Sequence, residues 1–111
     1  LAAHDLAFIH VVEGATGGPR DVLPFDWAAL KAAYRAKGGK GVWMVNNGYD
    51  RETAIEAVES GYADVVAFGK PFIANPDLVR RLKEEAPLNE LDGSTLYGGG
   101  EQGYTTYPAL A

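Results

Sequence analysis

Three short apolar runs divide the chain, and between them apolar positions recur at helical spacing. Leu6–Val12 and Gly41–Val45 are nearly continuous in apolar character, and Ala63–Phe68 repeats the pattern. Runs of this length, rich in β-branched and aromatic residues and flanked by turn formers, predict buried parallel strands covered on both faces. After the first run, Trp27, Leu30 and Tyr34 form one helical stripe, which reads as core packing. Asp26 caps that helix, and Gly38 and Gly39 end it, with Arg35 and Lys37 suited to its C-terminus. A second helix, capped by Asp50 and ended by Gly61, carries Ala54, Ile55, Ala57 and Val58. A third takes Asn75 as N-cap and Pro76 as its first residue. It carries Leu78, Val79 and Leu82 on one side, with Arg80, Arg81 and Lys83 towards its end.

The order is β-α-β-α-β-α, the pattern of a parallel α/β architecture. The two glycine-rich connections differ in character. Glu13–Pro19 is too rich in glycine to continue a strand and reads as a mobile loop. From Pro87 the chain turns polar and then glycine-rich, yet keeps Tyr97, Tyr104 and Tyr107. Disordered tails usually lack aromatics, so this segment reads as an ordered lid or a tail docked on a body.

Composition narrows the function classes. The 111 residues suffice for one small domain with a core, and 47% hydrophobic residues is ordinary for a soluble protein. A net charge of -5 argues against nucleic acid or anionic membrane as the main partner. The chain has no cysteine, so disulfides and thiolate metal sites are excluded, and no metal-ligand spacing appears. No apolar run approaches membrane-spanning length and no signal-peptide pattern is present, so a cytoplasmic location is expected. The chain starts at Leu1 without a methionine, as a fragment would.

The candidate chemistry concentrates where the third run stops. Gly69 lets the backbone approach a ligand closely, because it has no Cβ. Lys70 adds a cation at the C-terminal end of a strand, where α/β folds bind their ligands. A plain strand-to-helix turn with a solvated lysine fits this stretch equally well. His10 interrupts a strand and reads as a core histidine with one nitrogen hydrogen-bonded. Glu13 sits at the strand-to-loop junction, a functional place in a barrel, though a solvated carboxylate is the plainer reading. No GxGxxG follows a strand and there is no Walker lysine motif, so a classical dinucleotide or P-loop site is unsupported.

Three segments together resemble the Old Yellow Enzyme family. They are Asn46-Asn47-Gly48-Tyr49, the run from Ala67 to Leu78 (AFGKPFIANPDL), and Leu96-Tyr97-Gly98-Gly99-Gly100 with Gly103-Tyr104 and Tyr107-Pro108. Within that family the chain is most similar to bacterial ene reductases of the N-ethylmaleimide, nitrate-ester and xenobiotic reductase kind. The resemblance implies an FMN-binding (β/α)8 TIM barrel, of which this chain would supply strands six to eight with their helices and the tail. Residues 1–86 would be the last three βα units, and 87–111 a C-terminal tail packing at the barrel mouth. Phe8–Glu13 fits the sixth strand.

By the same resemblance, Asn46 and Asn47 match the seventh-strand phosphate loop, whose backbone N–H groups do the binding. Gly69 and Lys70 match the eighth-strand phosphate position. The family more often has arginine at Lys70 and glycine at Asn47. Lysine keeps the charge without the bidentate fork. Tyr97 matches a residue lining the substrate pocket over the flavin. Leu96 falls near the isoalloxazine edge, and Phe72 packs near the cofactor. The implied activity is NADH- or NADPH-dependent reduction of an activated alkene, with nitro compounds or nitrate esters as further substrates.

No catalytic residue of the family has a match here, and His4 and His10 do not match its substrate-binding pair. The chain is under half of the roughly 250 residues such a barrel needs. The expectation is therefore a fragment of a split, cleaved or permuted enzyme, active only with a second polypeptide that carries the rest of the barrel. The competing expectation is a non-enzymatic phosphate-binding or interaction module of three βα units.

Overall fold

Strand β1, Phe8–Val12, lies beside β2, Val42–Asn46, and β2 lies beside β3, Val65–Val66, in a three-stranded sheet ordered β1-β2-β3. Both pairings are parallel. Phe8 stands opposite Val42, His10 opposite Met44, and Met44 opposite Val65. The computed structural model describes residues 1–15, 18–19 and 25–111. Thr16 and Gly17, in the expected glycine-rich loop, lie outside the described residues. The chain divides into two units, Leu1–Ala67 and Phe68–Ala111.

In the first unit, α1 (Trp27–Ala36) and α2 (Arg51–Glu59) alternate with the strands, as parallel connections require. Asp26 and Asp50 cap these helices as expected. Asp26 accepts from Ala29 N–H, and Asp50 forms a reciprocal capping box with Thr53. The core lies on the sheet face that carries Val11, Trp43 and Val45, all buried. Tyr34 of α1 packs on Trp43 with ring centroids 5.8 Å apart, and Ala57 of α2 is buried. Close approach at the end of α1 explains Gly39: a Cβ there would meet the Tyr34 ring at 2.3 Å.

The sequence predicts strands covered on both faces, and within these residues only one of the two faces is covered. Alternation along each strand puts Phe8, His10 and Val12, then Val42, Met44 and Asn46, then Val65, on the second face. There Phe8 is 53% exposed and Val12, Val42 and Val65 are exposed too. Both helices of this unit follow the other face, so apolar residues remain uncovered. His10 shares that open face and is exposed, so it is not a core histidine. The third strand is also shorter than its apolar run, although Asp64 and Ala67 N–H extend its bonding to the carbonyls of Trp43 and Val45.

The second unit begins with a helix that apolar periodicity did not reveal. Lys70–Ala74 forms α3, immediately after Gly69. Helix α4 is Leu78–Glu84 with Asp77, not Asn75, as its N-cap. Asn75 instead follows α3 and is fully buried, and its side chain works both ways. Its amide donates to Pro71 O at 2.7 Å, and its Oδ1 accepts from Asn89 N–H at 2.7 Å. Glu85 ends α4 in the left-handed conformation, at φ 55. The tail adds one 3-10 turn, Gly93–Thr95.

Candidate functional site

The strand order brings Glu13 and Asn46 together at the C-terminal ends of β1 and β2. Glu13 N–H donates to Asn46 O at 3.2 Å. Asn47 then takes φ 90 and Gly48 φ 74, so the chain reverses through two positive-φ residues in succession. For a non-glycine residue this conformation costs about 1–3 kcal/mol and must be held by its surroundings. Asn47 is held by its side chain, whose Nδ2 donates to the carbonyls of Glu13 at 2.5 Å, Ala15 at 3.1 Å and Gly18 at 3.1 Å. Its backbone N–H donates to Asn46 Oδ1 at 2.6 Å. The family resemblance places glycine here, and the positive φ is the physical reason glycine suits the position.

Glu13 is not a solvated carboxylate. It is 2% exposed, with Oε1 accepting from Tyr49 O–H and Oε2 from Tyr62 O–H. Tyr49 is itself buried, directly before the cap of α2, and Tyr62 lies between α2 and β3. Burying a carboxyl group is costly unless it is hydrogen-bonded, and both oxygens are. Sequence reasoning missed this cluster. Its members are far apart in the chain, and no local spacing links them.

In the second unit, Gly69 and Lys70 are both exposed, Gly69 as the residue before α3 and Lys70 as its first residue. Gly69 has φ -98, so its backbone is not in the left-handed region. A Cβ at Gly69 would meet nothing within 4 Å. Neither its own φ nor a close neighbour in the chain therefore calls for glycine there. Phe72 is 54% exposed on α3. Leu96 is half-buried after the 3-10 turn, and Tyr97 is 88% exposed. Gly98 and Gly99 follow with φ 75 and 85, turning the chain beyond Tyr97.

The tail that carries Tyr97 is fixed by α4 rather than left loose. Arg81 is 4% exposed. It donates from Nε to Asp77 Oδ1 at 2.7 Å, from Nη1 to Pro87 O at 2.7 Å and from Nη2 to Pro108 O at 2.8 Å. Asp77 Oδ2 accepts from Leu110 N–H at 2.8 Å. That bond first, and the Arg81 guanidinium second, hold the Asp77 carboxyl below the usual carboxylate range. Asn89 adds bonds to Ala74 O and Pro108 O, and Tyr107 Oη accepts from Asp92 N–H at 2.9 Å. The bond from the Ser94 hydroxyl, and then that from the Ser94 N–H, lower the Asp92 carboxyl as well. Asp77 and Arg81 form an i, i+4 pair on α4, and the reach of that pair to the tail is set by the fold.

The NADH:flavin oxidoreductase / NADH oxidase family matches residues 1–89. The 12-oxophytodienoate reductase 1 of Oryza sativa subsp. japonica is 42% identical over 101 residues, covering 90% of this chain and 24% of that protein. Morphinone reductase superposes with a TM-score of 0.80 at 42% identity, over 95% of this chain and 27% of its own. The old yellow enzyme from Trypanosoma cruzi does so with a TM-score of 0.79 at 36% identity, over 96% of this chain and 26% of its own. The chain thus spans about a quarter of the length of these proteins. Among the described residues no helix is long and apolar enough to cross a membrane.

Proposed function

Because the chain belongs to the NADH:flavin oxidoreductase / NADH oxidase family, we infer that it supplies the flavin-phosphate end of an FMN-dependent ene reductase. In this reading β1, β2 and β3 are strands six to eight of a (β/α)8 barrel, and residues 87–111 pack at its mouth. The remaining strands lie outside residues 1–111. The observation that carries the reading is the uncovered apolar face of the sheet, with Phe8, Val12, Val42 and Val65 exposed. Parallel strands are ordinarily buried on both faces, and the inner face of a barrel is filled by side chains of its other strands.

In this reading Asn46 and Asn47 after β2, and Gly69 and Lys70 after β3, are each assigned to the phosphate by the family resemblance. Gly69 has open space where a Cβ would stand, and Lys70 is an exposed cation next to it in the chain. Asn46 and Asn47 form a turn whose backbone takes an unusual, fixed path. The Asn47 amide side chain is spent on three carbonyls, so Asn47 shapes the loop, and any donation comes from its backbone once Asn46 Oδ1 turns aside. Lys70 neutralises charge, and Gly69 allows close approach. Phe72 and Leu96 offer apolar surface to the cofactor, and Tyr97 lines the substrate pocket. Bound FMN would supply hydride chemistry, with NADH or NADPH as donor and the β-carbon of an activated alkene, or a nitro or nitrate-ester group, as acceptor.

Expression alone and with a complementary barrel fragment tests this. Alone, the chain is expected to aggregate or stay molten, without stoichiometric FMN. With its complement it is expected to co-purify as a yellow complex that reduces an activated alkene. The interface should be of obligate size, above about 2,000 Å². Intact mass and visible absorbance of the purified assembly report both partners at once. A well-folded, flavin-loaded, active monomer of this chain ends the reading.

A further inference from the structure

Glu13 does more than cap a strand. Its N–H, its C=O and both carboxyl oxygens are each hydrogen-bonded, and three of these four bonds go to the four-residue segment Asn46–Tyr49. Asn46 O takes its N–H, Asn47 Nδ2 donates to its C=O, and Tyr49 O–H donates to Oε1. The fourth partner, Tyr62, lies outside the segment and donates to Oε2. Between the anchor points sit Asn47 at φ 90 and Gly48 at φ 74. An asparagine persists in that conformation where its surroundings over-determine it. The Asn47 amide fixes one side of the turn, and Tyr49 on the Glu13 carboxyl group fixes the other.

We propose that Glu13 is a positioning residue: through its carboxyl group on Tyr49 it sets the path of Asn46–Gly48, and with it the grip on a phosphate. The inference rests on reading that segment as the flavin-phosphate loop. A purely structural Glu13 would support the fold and so affect every form of flavin alike. A positioning Glu13 affects the form that carries a phosphate.

Riboflavin has the ring and ribityl chain of FMN without the phosphate, so the pair separates the two roles. FMN and riboflavin are titrated into the flavin-free assembly and followed by quenching of flavin fluorescence. Tyr49→Phe keeps the ring and removes one donor to Glu13. It is expected to weaken FMN about tenfold, the size of one buried hydrogen bond, and to leave riboflavin within about twofold. Tyr62→Phe removes a donor from outside the segment and is expected to keep the preference for FMN. Should Tyr49→Phe fail to fold, Glu13→Leu removes both acceptors facing the tyrosines and is expected to lose the same preference.

An unchanged preference for FMN in the folded variant overturns the inference, as does an equal loss in Tyr62→Phe. Lys70→Ala in the same assay separates this inference from its premise. If Lys70→Ala erodes the preference and Tyr49→Phe does not, Glu13 is structural and the phosphate reading stands. If neither variant erodes it, both fail.

Discussion

Arg81 and Asp77 share one 2.7 Å bond, and through it helix α4 holds the end of the chain. The free carboxyl oxygen of Asp77 takes the N–H of Leu110, while Arg81 reaches Pro87 O and Pro108 O. The arginine is buried and each of its three guanidinium nitrogens donates a bond, which makes the pair a clamp rather than a surface ion pair.

The clamp sets a pH dependence. Asp77 is held below its ordinary pKa by Leu110 N–H first and Arg81 second. A carboxyl lowered by folding contributes stability that is complete above its unfolded value, about 3.9, and is lost as pH falls through the folded value. Docking of the tail is expected to be unchanged from pH 7 to 5 and to weaken below about pH 4. The Leu110 amide resonance followed by NMR against pH reads this directly. A release centred between pH 5 and 7 would contradict the assignment to Asp77.

Lys70→Ala is expected to weaken FMN retention more than it weakens folding. Lys70 is exposed at the start of α3, and surface substitutions usually change stability by under about 0.5 kcal/mol. Isothermal titration of flavin-free assembly with FMN, beside a thermal melt, separates the two effects. Equal FMN affinity in variant and parent removes the phosphate role from Lys70.

Tyr97→Ala is expected to change turnover of bulky alkenes while flavin stays bound. Its ring is 88% exposed and its chain is turned by the glycines that follow, so little of the fold depends on it. Steady-state kinetics on a small and a large enone decide the matter. Loss of flavin together with turnover makes Tyr97 a cofactor contact instead.

Gly39→Ala is expected to destabilise the folded state by about 1–3 kcal/mol, the usual cost of overpacking. The added methyl would lie 2.3 Å from the Tyr34 ring, which is buried against Trp43 and whose hydroxyl accepts from Gly41 N–H at 2.9 Å. The ring therefore has no easy retreat. Urea unfolding of the assembly measures the change, and a variant as stable as the parent means that Tyr34 can move.

Local chemistry written into the sequence determined the order of elements and both early caps. Asp26 and Asp50 cap α1 and α2 because a carboxylate before a helix meets N–H groups that have no other partner, a relation set within four residues. The parallel pairing followed from the alternation of strands and helices. Of the residues singled out for a phosphate, Gly69 and Lys70 stood out by their place at the end of a strand, and Asn46 and Asn47 were named from motif resemblance alone.

Tertiary structure decided what the local pattern could not. The same apolar strand composition fits coverage on one face or two, and only the placement of α1 and α2 leaves Phe8, His10 and Val12 open. Asn75 has the side chain of an N-cap, but Asn89 and Pro71 claim both its ends and pass the cap position to Asp77. Glu13 became a buried hub because Tyr49 and Tyr62, dozens of residues away in the chain, deliver hydroxyls to both its oxygens. A carboxyl group's burial depends on partners that arrive only when the chain folds, which is why no reading of its neighbours in sequence could have found it.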